Sequence, residues 1–222
     1  MSEVKLIENF ISWQGEGPDS GRAMAILRFK TCDRKCSWCD TAVKMRISAE
    51  APYKISDIQK TLYESKAGIL VTGGEPTVAK HFDECVVLLN ELDYPVANVE
   101  SNGHRLLELV KVVTQNDRIK YIYSPKIFNE KDFDLASELT ENLVGFPNVH
   151  IKVVYENNPL VIKYLERLHK HYGNLAWQHR IWLMPKGTTR SDLIRNAEEV
   201  FDACERYKFN FSSRSHIIFG FV

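Results

Sequence analysis

Apolar residues recur along this chain with two different periods. Short runs rich in branched and aromatic side chains predict strands over 23–29, 69–72, 96–99, 121–123, 149–154 and 181–183. Between them the apolar positions fall at helical spacing: Ile58 and Leu62; Phe82, Cys85, Leu89 and Leu92; Leu106, Leu107, Val110 and Val113. The spacing returns at Val161, Tyr164, Leu165 and Leu168, and again at Leu193, Ala197, Val200, Phe201 and Cys204. Ser56 with Gln59, and Thr189 with Asp192, predict N-terminal caps for the first and last of these helices. A further helix is expected over 132–142, followed by a turn at 145–148.

This β-α alternation predicts an α/β fold, because parallel strands need crossover helices between them. Six or so units are too few for eight-fold closure, so a partial barrel is expected. No low-complexity tract or linker interrupts the pattern, and residues 1–222 read as one compact domain.

Composition changes this picture little. Hydrophobic residues make up 44% and charged residues 26%, so the chain has the means to fold around a core. Lys+Arg and Asp+Glu both number 29, and the balance leaves no whole-molecule field to bind nucleic acid or an anionic membrane. No apolar run of the roughly 18 residues needed to span a bilayer occurs, and Met1–Lys5 lacks the basic and apolar parts of a secretion leader. The expected address is cytoplasmic.

Five cysteines are an odd count, and Cys32, Cys36 and Cys39 lie together in a C-x3-C-x2-C loop. That spacing suits a metal or cluster in a reducing compartment better than disulfides. Cys85 and Cys204 sit in apolar helical patterns and read as small buried hydrophobes. Three thiolates in one loop suit a [4Fe-4S] cluster with one iron left unligated by protein; a zinc knuckle completed by a histidine or a distant cysteine is the alternative. The histidine nearest in sequence is His81.

Four polar motifs follow predicted strands: Thr72-Gly73-Gly74-Glu75-Pro76, Glu100-Ser101-Asn102-Gly103, Ser124-Pro125-Lys126 and Met184-Pro185-Lys186-Gly187. Strand ends of this kind form the active-site mouth of β/α folds. Gly73 and Gly74 would let backbone approach a ligand closely, and Glu75 can accept hydrogen bonds from an ammonium.

With Trp38 before the third cysteine and Gly-Gly-Glu-Pro at a strand end, the chain resembles the radical S-adenosylmethionine superfamily. The resemblance implies the partial (β/α)6-type barrel of that superfamily. It also implies a [4Fe-4S] cluster on Cys32, Cys36 and Cys39, and S-adenosylmethionine with its amine beside Gly73, Gly74 and Glu75. Glu100, Ser101, Ser124 and Lys126 would hold the rest of that cofactor. Upstream, Phe10 to Gly17 contains Gln14-Gly-Glu16-Gly; together with Cys39-Asp-Thr41 and Arg214-Ser-His216 it is similar to the 7-carboxy-7-deazaguanine synthase family.

That second resemblance implies ring contraction of 6-carboxy-5,6,7,8-tetrahydropterin with loss of ammonia. Gln14, Glu16, Arg28 and His216 would contact this pterin, and Thr41 would meet a magnesium ion. A flavodoxin or ferredoxin would supply the electron, and the chain would form a homodimer. Thr31 and Met184 depart from the family pattern, which usually has glycine and glutamine there. Lys152, inside an apolar strand, is expected to face the mouth or reach the surface, while His104, His169 and His171 are given no chemistry. A glycyl-radical activase shares the cysteine loop and is the alternative enzyme reading.

Overall fold

The computed structural model describes residues 2–113, 116–173 and 175–221. Its strands are β1 (Glu3–Leu6), β2 (Glu8–Trp13), β3 (Ala23–Phe29), β4 (Ala51–Lys54), β5 (Gly68–Gly73), β6 (Ala97–Ser101), β7 (Ile119–Tyr123), β8 (Val149–Tyr155), β9 (Ile181–Pro185) and β10 (Asn210–Phe211). Its helices are α1 (Ala42–Ile47), α2 (Ile55–Ser65), α3 (Phe82–Glu91), α4 (Leu106–Val112), α5 (Glu130–Leu143), α6 (Pro159–Tyr172), α7 (Leu175–Gln178), α8 (Arg190–Tyr207) and α9 (Ser215–Phe219).

All six expected strands form and lie side by side in parallel as β3-β5-β6-β7-β8-β9. β10 extends one end of this sheet in parallel, and β2 closes the other end antiparallel to β3. The two ends are joined: Ser215 N donates to Gly15 O at 2.9 Å, and Gly17 N donates to Ser212 Oγ at 3.0 Å. Residues just after β2 thus meet residues just after β10, so the sheet curls into a partial barrel. No helix among the described residues is long and apolar enough to cross a membrane.

Strand pleating separates two faces. Leu27, Val71, Val99, Tyr121, Ile151 and Leu183 point outward into the main core beneath the helices. The inward face holds a small apolar group of Met24, Ile26, Leu70 and Val96, and the charged Glu100 and Lys152 point inward beside it. β1 and β4 make a separate antiparallel pair.

The six helices expected from the pattern form as α2, α3, α4, α5, α6 and α8, with two differences in detail, whereas α1, α7 and α9 were not expected. Thr189 caps α8 by accepting from Asp192 N at 3.2 Å, and Asn129 caps α5 in the same way. Thr189→Ala is expected to lower the melting temperature by about 2–4 °C, read by scanning calorimetry. The expected cap at Ser56 and Gln59 does not form. α2 starts two residues earlier, with Lys54 at the cap. Gln59 instead pairs with the Asp93 backbone through both ends of its amide, tying α2 to the segment before β6. Phe201, expected on the inner side of α8, is 55% exposed and stacks on Phe211 of β10 at 4.2 Å.

Candidate active site

The cysteine loop leaves the end of β3 and runs beside the end of β5. Gly74 N donates to Phe29 O at 2.9 Å and Glu75 N to Thr31 O at 2.7 Å, so the parallel ladder continues past both strands. This pairing explains the glycines. Gly73 has φ +126°, and a β-carbon there would lie 2.2 Å from Phe29 O; one on Gly74 would lie 2.2 Å from Thr31 O. The close approach is thus to the cysteine loop itself, and not only to a ligand. Thr31 lies outside the left-handed region, so its departure from glycine strains no backbone.

His81, at the N-cap of α3, supports the same loop. Its Nε2 accepts from Thr31 N at 3.0 Å, its ring stacks on Phe29 at 4.8 Å, and it is fully buried. With Nε2 accepting, the proton sits on Nδ1, 3.8 Å from Glu84. The nearest candidate zinc histidine is therefore committed to backbone. Burial lowers the His81 pKa, so its stabilisation is complete above the unfolded value of about 6.5 and declines as pH falls through that value. The stability gap between wild type and His81→Phe should accordingly narrow from pH 7.5 to 5 in urea melts.

The three thiols are half-buried along one cavity, whereas Cys85 and Cys204 are buried. Burial pushes the Cys32 thiol up to about 11 and also raises that of Cys36. Coordination to iron would reverse this, since a bound thiol is deprotonated. Arg34 N lies 3.4 Å and Asn102 Nδ2 3.9 Å from Cys32 Sγ, and Thr41 Oγ1 is 3.3 Å from Cys39 Sγ. Asp33 anchors the loop, accepting from Asn102 Nδ2 at 2.7 Å and meeting His104 Nδ1 at 3.0 Å; Arg34 reaches Asp132 of α5 at 2.8 Å. His104, expected to be merely solvated, thus helps to hold the cysteine loop. The donor set and its support fit a cluster bound by three cysteines.

Next to the loop, Glu75 is buried and saturated on one side. Its Oε1 accepts from Thr77 N, Thr77 Oγ1 and Ser101 Oγ, and its Oε2 from Asn102 N. Ser101 also accepts from Gly103 N, so its hydroxyl serves to orient Glu75. Lys126 Nζ donates to Ser124 Oγ at 2.6 Å. Burial lowers the Lys126 pKa, with Lys152 acting in the same direction.

The same cavity is lined by a chain of charges. Lys152, 2% exposed, donates to Glu16 Oε2 at 2.5 Å and to Glu100. Arg214 donates from Nε to Glu16 Oε1 at 2.9 Å and from Nη2 to Asp40 Oδ2 at 2.8 Å. His216 Nε2 lies 3.3 Å from Asp40 Oδ2. Burial would raise the Glu16 pKa, but Lys152, Arg214 and His216 outweigh it and hold the carboxyl well below the usual range. Glu100 is raised by burial, against the pull of Lys152. The inward-facing Lys152 was visible in sequence as a cation within an apolar strand; Asp40 and Arg214, beside expected site residues, were not assigned roles.

Gln14 is 2% exposed, donating to Asn98 Oδ1 at 3.0 Å and accepting from Glu16 N at 3.2 Å, so its amide shapes the loop that carries Glu16. Arg28 donates from Nε to Glu8 Oε2 at 2.6 Å. Gln14, Glu16, Arg28 and His216 line the same cavity as the cysteines and Thr41, as do Gly73, Gly74, Glu75, Glu100, Ser101, Ser124 and Lys126. His169 stays outside, with Nδ1 3.0 Å from Tyr207 O.

No protein-family model matches the chain. It is 28% identical to the 7-carboxy-7-deazaguanine synthase of Pyrobaculum aerophilum over 97% of this chain and 94% of that protein. It is 23% identical to the protein of the same name from Hyperthermus butylicus, over 97% and 92%. In fold it matches the crystal structure of QueE from Escherichia coli, with a TM-score of 0.63 at 17% identity, covering 94% of this chain and 92% of that one. The chain thus has the fold of QueE, carries a three-cysteine loop at the mouth of its curled sheet, and is similar over nearly all its length to proteins named 7-carboxy-7-deazaguanine synthase.

Proposed function

We propose that this enzyme converts 6-carboxy-5,6,7,8-tetrahydropterin into 7-carboxy-7-deazaguanine with loss of ammonia. The observation that carries the reading is the charge chain of Glu16, Lys152, Glu100, Arg214 and Asp40, which lines one cavity with Cys32, Cys36 and Cys39. Ionised carboxylates beside cations offer both acceptors for pterin N–H groups and partners for a carboxylate.

The chemistry supplied by the cluster and S-adenosylmethionine, when bound, is hydrogen abstraction by a 5'-deoxyadenosyl radical. Cys32, Cys36 and Cys39 would hold three irons. Gly73, Gly74 and Glu75 would meet the methionyl amine through backbone and through Glu75 Oε2, which accepts one hydrogen bond where Oε1 accepts three. Glu100, Ser101, Ser124 and Lys126 would border the remainder of the cofactor. Glu16, kept ionised by Lys152 and Arg214, accepts from the pterin edge; Arg28 pairs the substrate carboxylate, and His216 with Gln14 completes the contact. Thr41 offers its hydroxyl to magnesium, an ion that prefers oxygen ligands and keeps several waters. The reading includes a flavodoxin or ferredoxin donor, a homodimer and a cytoplasmic setting.

The test is anaerobic reconstitution followed by incubation with reductant, S-adenosylmethionine and the carboxytetrahydropterin. A deazapurine in the mass spectrum together with 5'-deoxyadenosine is expected. Formation of 5'-deoxyadenosine without a deazapurine would keep the radical chemistry and discard this substrate.

A further inference from the structure

Arg28 reaches the cavity with its Nε side already held. Glu8 stands directly opposite it in the β2-β3 register and takes that Nε at 2.6 Å. The other Glu8 oxygen is taken by Lys44 Nζ of α1 at 2.8 Å. Arg28 lines the cavity, whereas Glu8 stands behind it, outside the lining. Both carboxylate oxygens of Glu8 are thus engaged by cations from different elements. The Arg28 side chain is 14% exposed, so its charge is poorly hydrated and depends on its protein partners for orientation.

A guanidinium is a planar fork, and fixing its Nε edge fixes the plane of the two Nη groups as well. Those two groups suit a second carboxylate held end-on. We propose that Glu8, braced by Lys44, is a positioning residue that presets Arg28 for carboxylated ligands and thereby sets the preference for a pterin bearing a carboxylate. The inference rests on the pterin reading above and deepens it. Glu8 acts here by orientation: it belongs to a closed arginine-carboxylate-lysine set and touches no ligand itself. Because α1 follows the cysteine loop directly, the same brace ties the carboxylate end of the cavity to the cluster end.

The experiment is anaerobic calorimetric titration of reconstituted protein with 6-carboxypterin and with unsubstituted pterin, neither of which turns over. In wild type the carboxylated ligand should bind more tightly. Glu8→Ala should weaken 6-carboxypterin binding by about tenfold, the scale of one charge-assisted hydrogen bond losing its preset geometry, and leave pterin unchanged. Glu8→Gln keeps an acceptor for Nε without the charge and should restore most of the preference. Lys44→Ala, at a half-exposed helix position, should move the preference the same way by a smaller factor and covers the case in which Glu8→Ala fails to fold.

Equal weakening of both ligands in Glu8→Ala would reduce Glu8 to a fold residue and overturn the inference. Loss in Glu8→Gln as large as in Glu8→Ala would assign the effect to charge and overturn it too. A wild type that binds neither pterin would instead sink the substrate reading on which the inference stands.

Discussion

Replacing Lys152 by methionine is expected to cost about 3 kcal/mol of folding stability at neutral pH, because it leaves Glu16 and Glu100 facing each other with one cation removed. The figure is taken at the lower end of the range for broken buried pairs, since both carboxylates border a cavity that water can enter. The cost should depend on pH with a definite sign. Burial already raises Glu100, and without Lys152 its folded pKa rises further above the unfolded value of 4.5. A carboxyl shifted that way stabilises the fold below the unfolded pKa and loses that contribution as pH rises through the folded value. The deficit of Lys152→Met should therefore be largest at pH 7 and shrink toward pH 4 in denaturant melts. Adding Glu100→Gln should recover part of it, as removal of the second uncompensated charge requires. A deficit that stayed constant with pH would mean that lost packing of the lysine stem, and not charge, sets the cost.

Gly74→Ala is expected to abolish stable cluster binding while leaving the barrel folded. The added methyl would meet the Thr31 carbonyl at 2.2 Å and Cys32 N at 2.9 Å, both backbone atoms that no rotamer change can move. The loop must then shift away from the end of β5, carrying Cys32 with it and breaking the bonds from Gly74 N and Glu75 N. Iron and sulfide analysis after anaerobic reconstitution should show a loss of most of the cluster, with the visible charge-transfer band falling in parallel. Gly145→Ala is the matched control, since a β-carbon there meets nothing within 4 Å. Retention of a full iron complement in Gly74→Ala would show that the ladder between the two loops is dispensable.

The two predictions concern neighbouring parts of one design. Glu75 N bonds to the cysteine loop, its carboxylate is oriented by Thr77, Ser101 and Asn102, and Asn102 in turn holds Asp33 beside Cys32. Cysteine loop and strand ends therefore support each other mutually. Arg214 performs a similar service on the far side, linking Glu16 after β2 to Asp40 after the third cysteine. It does so from a left-handed backbone conformation, φ 56°, at the start of α9. Such a conformation is uncommon for a non-glycine residue, and its two ion pairs and the bond to Gly187 O hold it in place.

What could be read from the sequence was whatever depends on local pattern. Six parallel strands, the amphipathic helices and the cap at Thr189 follow from side-chain periodicity and short-range hydrogen bonding, which act over a few residues. The cysteine triplet and Gly-Gly-Glu-Pro were legible because their chemistry is packed into contiguous text. β2 and β10 escaped notice because one is an edge strand with a mixed face and the other has two residues, so neither imprints a period. Gln59 was misread as a cap because its true partner, the Asp93 backbone, lies far along the chain. Only the curl of the sheet decides that Glu16 meets Lys152 and that Arg214 meets Asp40, and only the pairing of β2 with β3 decides that Glu8 stands behind Arg28. Those contacts span from 20 to 174 positions, and an ion pair between such distant residues leaves no local signature; it exists only once the backbone has brought both charges out of water together.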